Sequence, residues 1–242
     1  MQSPSLLRGA GYLFTGLKLL TVPGLRRFVL IPLVLSTLLF AAGTWVAGHY
    51  LLMLSGWINS YLPSWLQWME WIVLPLLFFS ASTLLFSTLG SIANLVGAPF
   101  NALLAQQVER HLTGTDQNSP PQSLMATLFP TIRSEIQKIF YYLIRAIPLL
   151  LLFVVPVINV AAPFVWMIFS SWMSAFQYAD FPMSNHDLYD KEILAHLREK
   201  RLLSLGFGGA TLLMTLIPIL NFLAMPAAVA GATALWVAEW KR

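Results

Sequence analysis

Two long uncharged stretches occupy the C-terminal half of the chain, at residues 146–179 and 202–238. A proline–asparagine turn interrupts each of them, at Pro156–Asn159 and at Pro218–Asn221. Because a helix needs about 20 residues to cross the hydrocarbon core, each stretch is too long for one span. Each arm is too short, or barely long enough, to span alone. The pattern therefore predicts two helical hairpins that dip into a bilayer.

The N-terminal part of the chain passes from an amphipathic segment to a continuous apolar one. Residues 5–20 place leucines among glycines and basic side chains, which predicts a short helix lying at the membrane interface. Residues 28–54 contain no Lys, Arg, Asp or Glu and predict the first full span. Residues 55–70 are rich in tryptophan, which is typical of a membrane–water interface.

A second apolar segment covers residues 71–105, which is more than one crossing requires. Its second half is small and polar, and Pro99 is expected to break it. The pattern predicts a crossing helix to about residue 90, followed by a bent extension that emerges toward Gln106.

The basic residues follow the same division of the chain. The connection 55–70 has no Lys or Arg, whereas every Lys and Arg lies in residues 8–27, 106–145 or 180–201 or in the C-terminal tail. Two full crossings and two hairpins that return to the same side put all of them on one face, which the positive-inside rule makes cytoplasmic. Six full crossings satisfy the charge count equally well, and only the length of the arms argues against them.

Composition agrees with these segments. The chain is 57% hydrophobic and 10% charged, with a mean hydropathy of +0.71, against about 25% charged in soluble proteins. We therefore predict an all-α integral membrane protein with one domain, residues 1–242. There is no cysteine, the four histidines lack metal-ligand spacing, and no P-loop occurs. We expect no metal, no cofactor and no nucleic-acid partner.

The best candidate for binding chemistry is the run from Pro23 to Phe28. A proline near a helix start leaves the following N–H groups free at the positive end of the helix dipole, where they bind anions. Gly24 allows close backbone approach, and Arg26 and Arg27 add forked donors suited to a tetrahedral oxyanion. The alternative is that two arginines before a span only determine topology.

A second candidate follows the polar half of the second span. Gln106 and Arg110 are i,i+4 neighbours on a helix and share a face, with Glu109 beside them. They can form the mouth of a polar conduit, in which Arg110 attracts anions. The alternative is a helix that simply emerges into water.

Several segments in order along the chain resemble one family. They are Pro-Gly-Leu-Arg-Arg-Phe-Val-Leu-Ile-Pro at 23–32, Ser-Ile-Ala-Asn-Leu-Val-Gly-Ala-Pro-Phe-Asn at 91–101, Phe-Gln-Tyr-Ala-Asp-Phe-Pro at 176–182, Pro-Ile-Leu-Asn at 218–221 and Gly-Ala-Thr at 231–233. Together they resemble the CysZ family of bacterial inner-membrane sulfate permeases.

The resemblance implies sulfate entry into the cytoplasm for cysteine synthesis without ATP hydrolysis, by a homo-oligomer with two full spans and shorter penetrating helices. It assigns the sulfate site to four consecutive residues, Gly24, Leu25, Arg26 and Arg27. It assigns a candidate pathway to Asn94, Asn101, Glu109 and Arg110. The chain departs from the family at Gln106, where members often have Glu.

Three functions remain open from the sequence. The first is a channel-like sulfate permease of the inner membrane, and a proton-coupled sulfate transporter is its variant. The second is a non-transporting membrane protein, such as an assembly factor. The third, an enzyme acting on lipid, is disfavoured because the chain has no metal-ligand cluster, no Ser/His/Asp spacing and no paired buried carboxylates.

Overall fold

The computed structural model describes residues 5–61, 63, 68–114 and 124–241, and not the side chains of 58, 59, 61, 70, 74, 90–99, 124–135, 218, 219 and 222. Every long regular element in the described part is a helix, so the predicted all-α class is confirmed there. The helices are α1 (Leu6–Leu19), α2 (Arg27–Tyr61), α3 (Glu70–Thr113), α4 (Leu124–Leu151), α5 (Ala162–Ser184), α6 (Asp190–Glu199), α7 (Arg201–Thr215) and α8 (Pro218–Glu239).

The chain divides into two compact units, and the second of these, unit 2, is residues 27–100. It contains the helices that are long and apolar enough to cross a membrane, Arg27–Trp57 and Trp71–Leu89. The two helices touch through stacked rings of Phe40 and Phe86, whose centroids are 5.7 Å apart. The prediction of two long apolar helices is therefore confirmed.

Polar side chains in unit 2 bond within their own helix. The hydroxyl groups of Thr37, Ser80 and Thr83 each donate to the carbonyl oxygen four residues earlier, at 2.8 Å. This pairing removes the free-energy penalty of an unsatisfied hydroxyl in an apolar surrounding.

Helix α3 corrects one expectation, because it runs without interruption from Glu70 to Thr113 and Pro99 does not end it. Proline removes a single backbone hydrogen bond from a helix, and the turns on either side of Pro99 keep theirs. The division between the two units falls inside this helix, after Phe100.

Unit 1 comprises residues 1–26 and 101–242. Its helix α1 packs on α7 and α8, and α5 packs on the same two helices. The backbones approach very closely: a Cβ at Gly9 would collide with the carbonyl oxygen of Leu203, and a Cβ at Gly16 with that of Ala227. Only glycine fits at these two crossings.

The breaks within the two predicted hairpin stretches have different forms. Between α4 and α5 lies a ten-residue connection, 152–161, which holds the expected Pro156–Asn159 turn and a short 3-10 helix, Ile158–Val160. Between α7 and α8 only Leu216 and Ile217 are non-helical. Pro218 is the first residue of α8, where its preset φ and missing N–H suit a helix start. The turn expected at Pro218–Asn221 therefore lies just before it.

Candidate functional site

The turn that carries the predicted anion site joins α1 to α2 and forms residues 22–26. The amide of Leu25 donates to the carbonyl oxygen of Val22 at 3.2 Å, and the amide of Arg26 donates to the same oxygen at 3.4 Å. Gly24 has φ +93°, a conformation that side chains with a Cβ rarely adopt. The turn therefore depends on glycine at this position.

This geometry corrects the expectation that the N–H groups directly after Pro23 are free. The helix begins at Arg27, four residues after Pro23, because the positive φ of Gly24 cannot belong to an α-helix. The amides of Leu25 and Arg26 are occupied by Val22. The N–H groups without an intrahelical partner are those of the first turn of α2, from Arg27 onward.

The four residues predicted to bind sulfate differ in exposure. Leu25 is 5% exposed, whereas Gly24, Arg26 and Arg27 are all exposed. Leu25 thus offers an anion neither its side chain nor a free amide. The two guanidinium groups are the exposed charged groups of this turn.

Arg26 and Arg27 remain available to an external anion. Among the described residues, no carboxylate forms an ion pair with either of them. The guanidinium of Arg27 lies 4.9 Å from the ring centroid of Phe28, a contact that leaves its N–H donors usable. Exposed, unneutralised arginines next to a helix N-terminus can bind a tetrahedral oxyanion by forked hydrogen bonds.

The candidate pathway residues lie on α3. The side chain of Asn94 is outside the described residues. Asn101 is 6% exposed, and its amide nitrogen donates to the sulfur of Met225 at 3.3 Å. Gln106 is exposed and donates to Oδ1 of Asn185 at 3.4 Å. Asn101 and Gln106 thus contact other parts of unit 1.

Glu109 is a buried carboxylate, 3% exposed, and its charge is compensated. Its Oε1 accepts from the ammonium of Lys241 and lies 2.7 Å from Nε2 of His186. These contacts join the end of α3 to the segments that follow α5 and α8. Arg110, the next residue on α3, is half-buried. Glu109 therefore acts as a structural partner rather than as a free carboxylate.

A second buried carboxylate, Glu239 at the end of α8, was not found from the sequence. One of its oxygens accepts from Arg8 and from the hydroxyl of Tyr12 at 2.6 Å, and the other accepts from Lys200 at 2.8 Å. Arg8 is 231 residues away along the chain. No local spacing could have indicated this cluster.

The cluster shifts the pKa values of two members. Burial alone would raise the pKa of Glu239, but hydrogen bonds from Lys200 and Tyr12 and the charges of Lys200 and Arg8 outweigh it and lower that pKa. Burial, together with the Glu239 carboxylate, raises the pKa of the Tyr12 hydroxyl to about 12. The hydroxyl is therefore a permanent donor and the carboxylate a permanent acceptor near neutral pH.

The described residues contain no group of three or more His, Cys, Asp or Glu side chains that could hold a metal ion. Two histidines instead pack on an indole ring. The rings of His186 and His196 lie 5.6 Å and 5.8 Å from that of Trp236. These histidines have a packing role at the end of α8.

Comparisons with known proteins agree on one family. A sequence model of the family described as Sulfate transporter CysZ/Etoposide-induced protein 2.4 matches residues 12–226. The chain is 44% identical over 239 residues to the sulfate transporter CysZ of Pseudomonas fluorescens, covering 96% of this chain and 94% of that protein. It is 44% identical to the protein of the same name from Pseudomonas aeruginosa, with 96% of each chain covered. It is 39% identical over 241 residues to the sulfate transporter CysZ of Salmonella typhimurium, and the match covers 96% of this chain and 93% of that protein.

Proposed function

The chain belongs to the family of the sulfate transporter CysZ and etoposide-induced protein 2.4, and we propose that it is a sulfate permease of the bacterial inner membrane. The substrate follows from relatives named as sulfate transporters that match almost the whole chain. Sulfate enters the cytoplasm for cysteine biosynthesis, without ATP hydrolysis and without catalysis of a reaction. The protein works as a homo-oligomer in the lipid bilayer.

The observation that carries this proposal is the pair of exposed arginines, Arg26 and Arg27, at the start of α2. Sulfate carries two negative charges and four oxygen acceptors. Two guanidinium groups provide planar, permanently charged forks that match such acceptors. Gly24 and Leu25 shape the turn, while Arg26 and Arg27 bind the anion.

Sulfate must also pass a polar route, for which we propose Asn94, Asn101, Gln106 and Arg110. Glu109 lies on the same turns of α3 and would repel a dianion if its charge were uncompensated. Lys241 removes that obstacle because its ammonium contacts the carboxylate, and His186 is a hydrogen-bond partner of the same oxygen. Passage is channel-like, down a concentration gradient that sulfate assimilation maintains.

The proposed topology has two full spans, α2 and the first part of α3, and two hairpins that penetrate the membrane part of the way. Basic segments and both termini are cytoplasmic, and residues 55–70 face the periplasm. A cysteine at Ser60, which is exposed at the end of α2, should react with an impermeant thiol reagent from the periplasmic side. Reaction only from the cytoplasmic side would overturn this topology.

The transport proposal is tested with purified protein in liposomes and radiolabelled sulfate. We expect uptake by the native protein and its loss in the Arg26→Ala, Arg27→Ala double variant. The matched control is Lys191→Ala with Arg198→Ala, which removes the same charge from exposed positions on α6. Equal uptake by native and Arg26/Arg27 variants would refute the site, and no uptake by folded native protein would refute autonomous transport.

A further inference from the structure

We infer that Glu239 is a positioning residue for the proposed sulfate site, because it fixes α1, the helix after which the turn with Arg26 follows. This inference rests on the proposed function. It concerns a residue more than two hundred positions from Arg26 in the sequence, on the helix at the other end of the chain.

The first step is the set of contacts made by Glu239. Its side chain is 6% exposed, and its carboxylate accepts from Arg8 and Tyr12, both on α1. Lys200 donates to the other carboxylate oxygen and to the backbone carbonyl of Glu239, each at 2.8 Å. One carboxylate thus holds the first half of α1 against the end of α8 and the start of α7.

The second step is the fit of α1 along those helices. A Cβ at Gly206 would collide with the carbonyl oxygen of Leu6, and a Cβ at Gly231 would lie 2.7 Å from the carbonyl oxygen of Tyr12. Near the other end of α1, Gly16 meets Ala227 equally closely. Helices packed this closely move as rigid bodies, so a shift of α1 at the Glu239 contacts is transmitted along the whole helix.

The third step is the connection from α1 to Arg26. Backbone hydrogen bonds continue past the end of the helix: Thr21 donates to Lys18 and Val22 to Leu19, each at 3.1 Å. Leu25 and Arg26 then donate to Val22. Leu19, Leu20 and Leu25 are buried, and the segment belongs to unit 1. The backbone of Arg26 therefore follows any displacement of α1.

Forked recognition of an oxyanion depends on the placement of the guanidinium, and small displacements of a binding group have large effects. Replacing Glu239 by Gln keeps the size of the side chain but removes the negative charge that contacts Arg8 and Lys200. Cationic groups that lose such a contact in a half-buried cluster move toward water. The expected consequence is a displaced α1 and weaker sulfate binding at Arg26.

The matched control is Asp180→Asn. Asp180 and Lys138 form another cross-helix ion pair of unit 1, between α5 and α4, with a nitrogen–oxygen distance of 2.7 Å. This pair includes no residue of α1. Both variants lose one carboxylate charge and one partner of an ion pair, but only Glu239→Gln changes a contact of α1. Comparing the two variants therefore separates general destabilisation from an effect on Arg26.

The experiment is calorimetric titration of purified full-length protein with sulfate, together with thermal unfolding with and without sulfate. We expect Glu239→Gln to raise the Kd about tenfold and to reduce the rise in Tm that sulfate produces. Asp180→Asn should lower Tm while leaving the Kd within about twofold of native. Glu239→Gln with a lowered Tm and a native Kd would overturn the inference.

Two further variants keep the outcome decisive. Tyr12→Phe is the alternative if Glu239→Gln fails to fold, because it removes a single hydrogen bond to Glu239. It should raise the Kd for sulfate by about two- to threefold. An unchanged Kd would refute the inference. Native binding in the Arg26→Ala, Arg27→Ala variant would refute the proposed sulfate site itself. Loss of binding there with a native Kd in Glu239→Gln would refute only the positioning role.

Discussion

Unit 2 and unit 1 use the same helical structure in different ways. Only 6% of each spanning segment of unit 2 is buried, and its exposed side chains are large and apolar, as Leu38, Trp45 and Phe79 illustrate. Unit 1 instead buries the carboxylates of Glu109, Asp190 and Glu239 and brings backbones into direct contact. An apolar exterior suits hydrocarbon, which is as apolar as leucine. The structure of unit 1 depends on individual residues, whereas that of unit 2 depends mainly on composition.

The largest expected effect compares two glycines, one from each unit. Gly206→Ala in α7 places a Cβ against the backbone oxygen of Leu6, which cannot move aside as a side chain could. Such overpacking should destabilise the protein by about 3 kcal/mol. Gly48→Ala in α2 meets nothing within 4 Å and should stabilise the helix by about 0.5–1 kcal/mol.

Thermal unfolding of both variants in the same detergent measures this contrast. Similar Tm values for Gly206→Ala and the native protein would contradict the close packing of α1 on α7. A large fall in Tm for Gly48→Ala would mean that α2 has a tightly packed neighbour at that position.

The contrast also explains what the sequence could predict. Spans depend on length and apolarity, which are local properties, so α2 and the first part of α3 were predictable from the residues alone. The partners of Glu109 and Glu239 were not, because Lys241 and Arg8 lie 132 and 231 positions away from them. Their pairing depends on tertiary structure that no spacing rule expresses.

Two expectations that rested on a single proline were wrong for local reasons. Pro99 was expected to end a helix because proline usually does so, yet α3 continues through it. Pro23 was expected to be followed by free N–H groups, but the amides of Leu25 and Arg26 donate to Val22, and α2 begins at Arg27. The exposure of Arg26 and Arg27 follows from their position before a span, so the sequence was sufficient to predict that much.

An intermediate effect is expected from acidification, through the buried carboxylate of Glu239 in unit 1. In the folded protein, the pKa of Glu239 lies below 4.5, the ordinary value for a glutamate side chain. A lowered folded-state pKa contributes stability that is complete above the unfolded-state pKa and is lost as pH falls through the folded value. Below about pH 4.5, the Tm of the native protein should therefore fall more steeply with decreasing pH than the Tm of Glu239→Gln.

Unfolding curves at pH 3 to 7 test this effect, with Glu199→Gln as the control. Glu199 is exposed at the end of α6, so its variant removes one carboxylate without disturbing the Glu239 cluster. Parallel acid profiles for Glu239→Gln and the native protein would contradict the stabilising role of the cluster.

The smallest effect is expected for a polar residue of unit 2, Thr83→Val. The hydroxyl of Thr83 is exposed and donates to the carbonyl of Phe79, which already belongs to the helix ladder. Valine has the same shape, leaves no unpaired group behind and suits hydrocarbon better, so the free energy of unfolding should change by less than about 0.5 kcal/mol. A larger loss would show that the Thr83 hydroxyl binds another group, and unit 2 would then depend on a specific polar contact as unit 1 does. An unchanged Tm supports the view that the surface of unit 2 needs only apolar side chains.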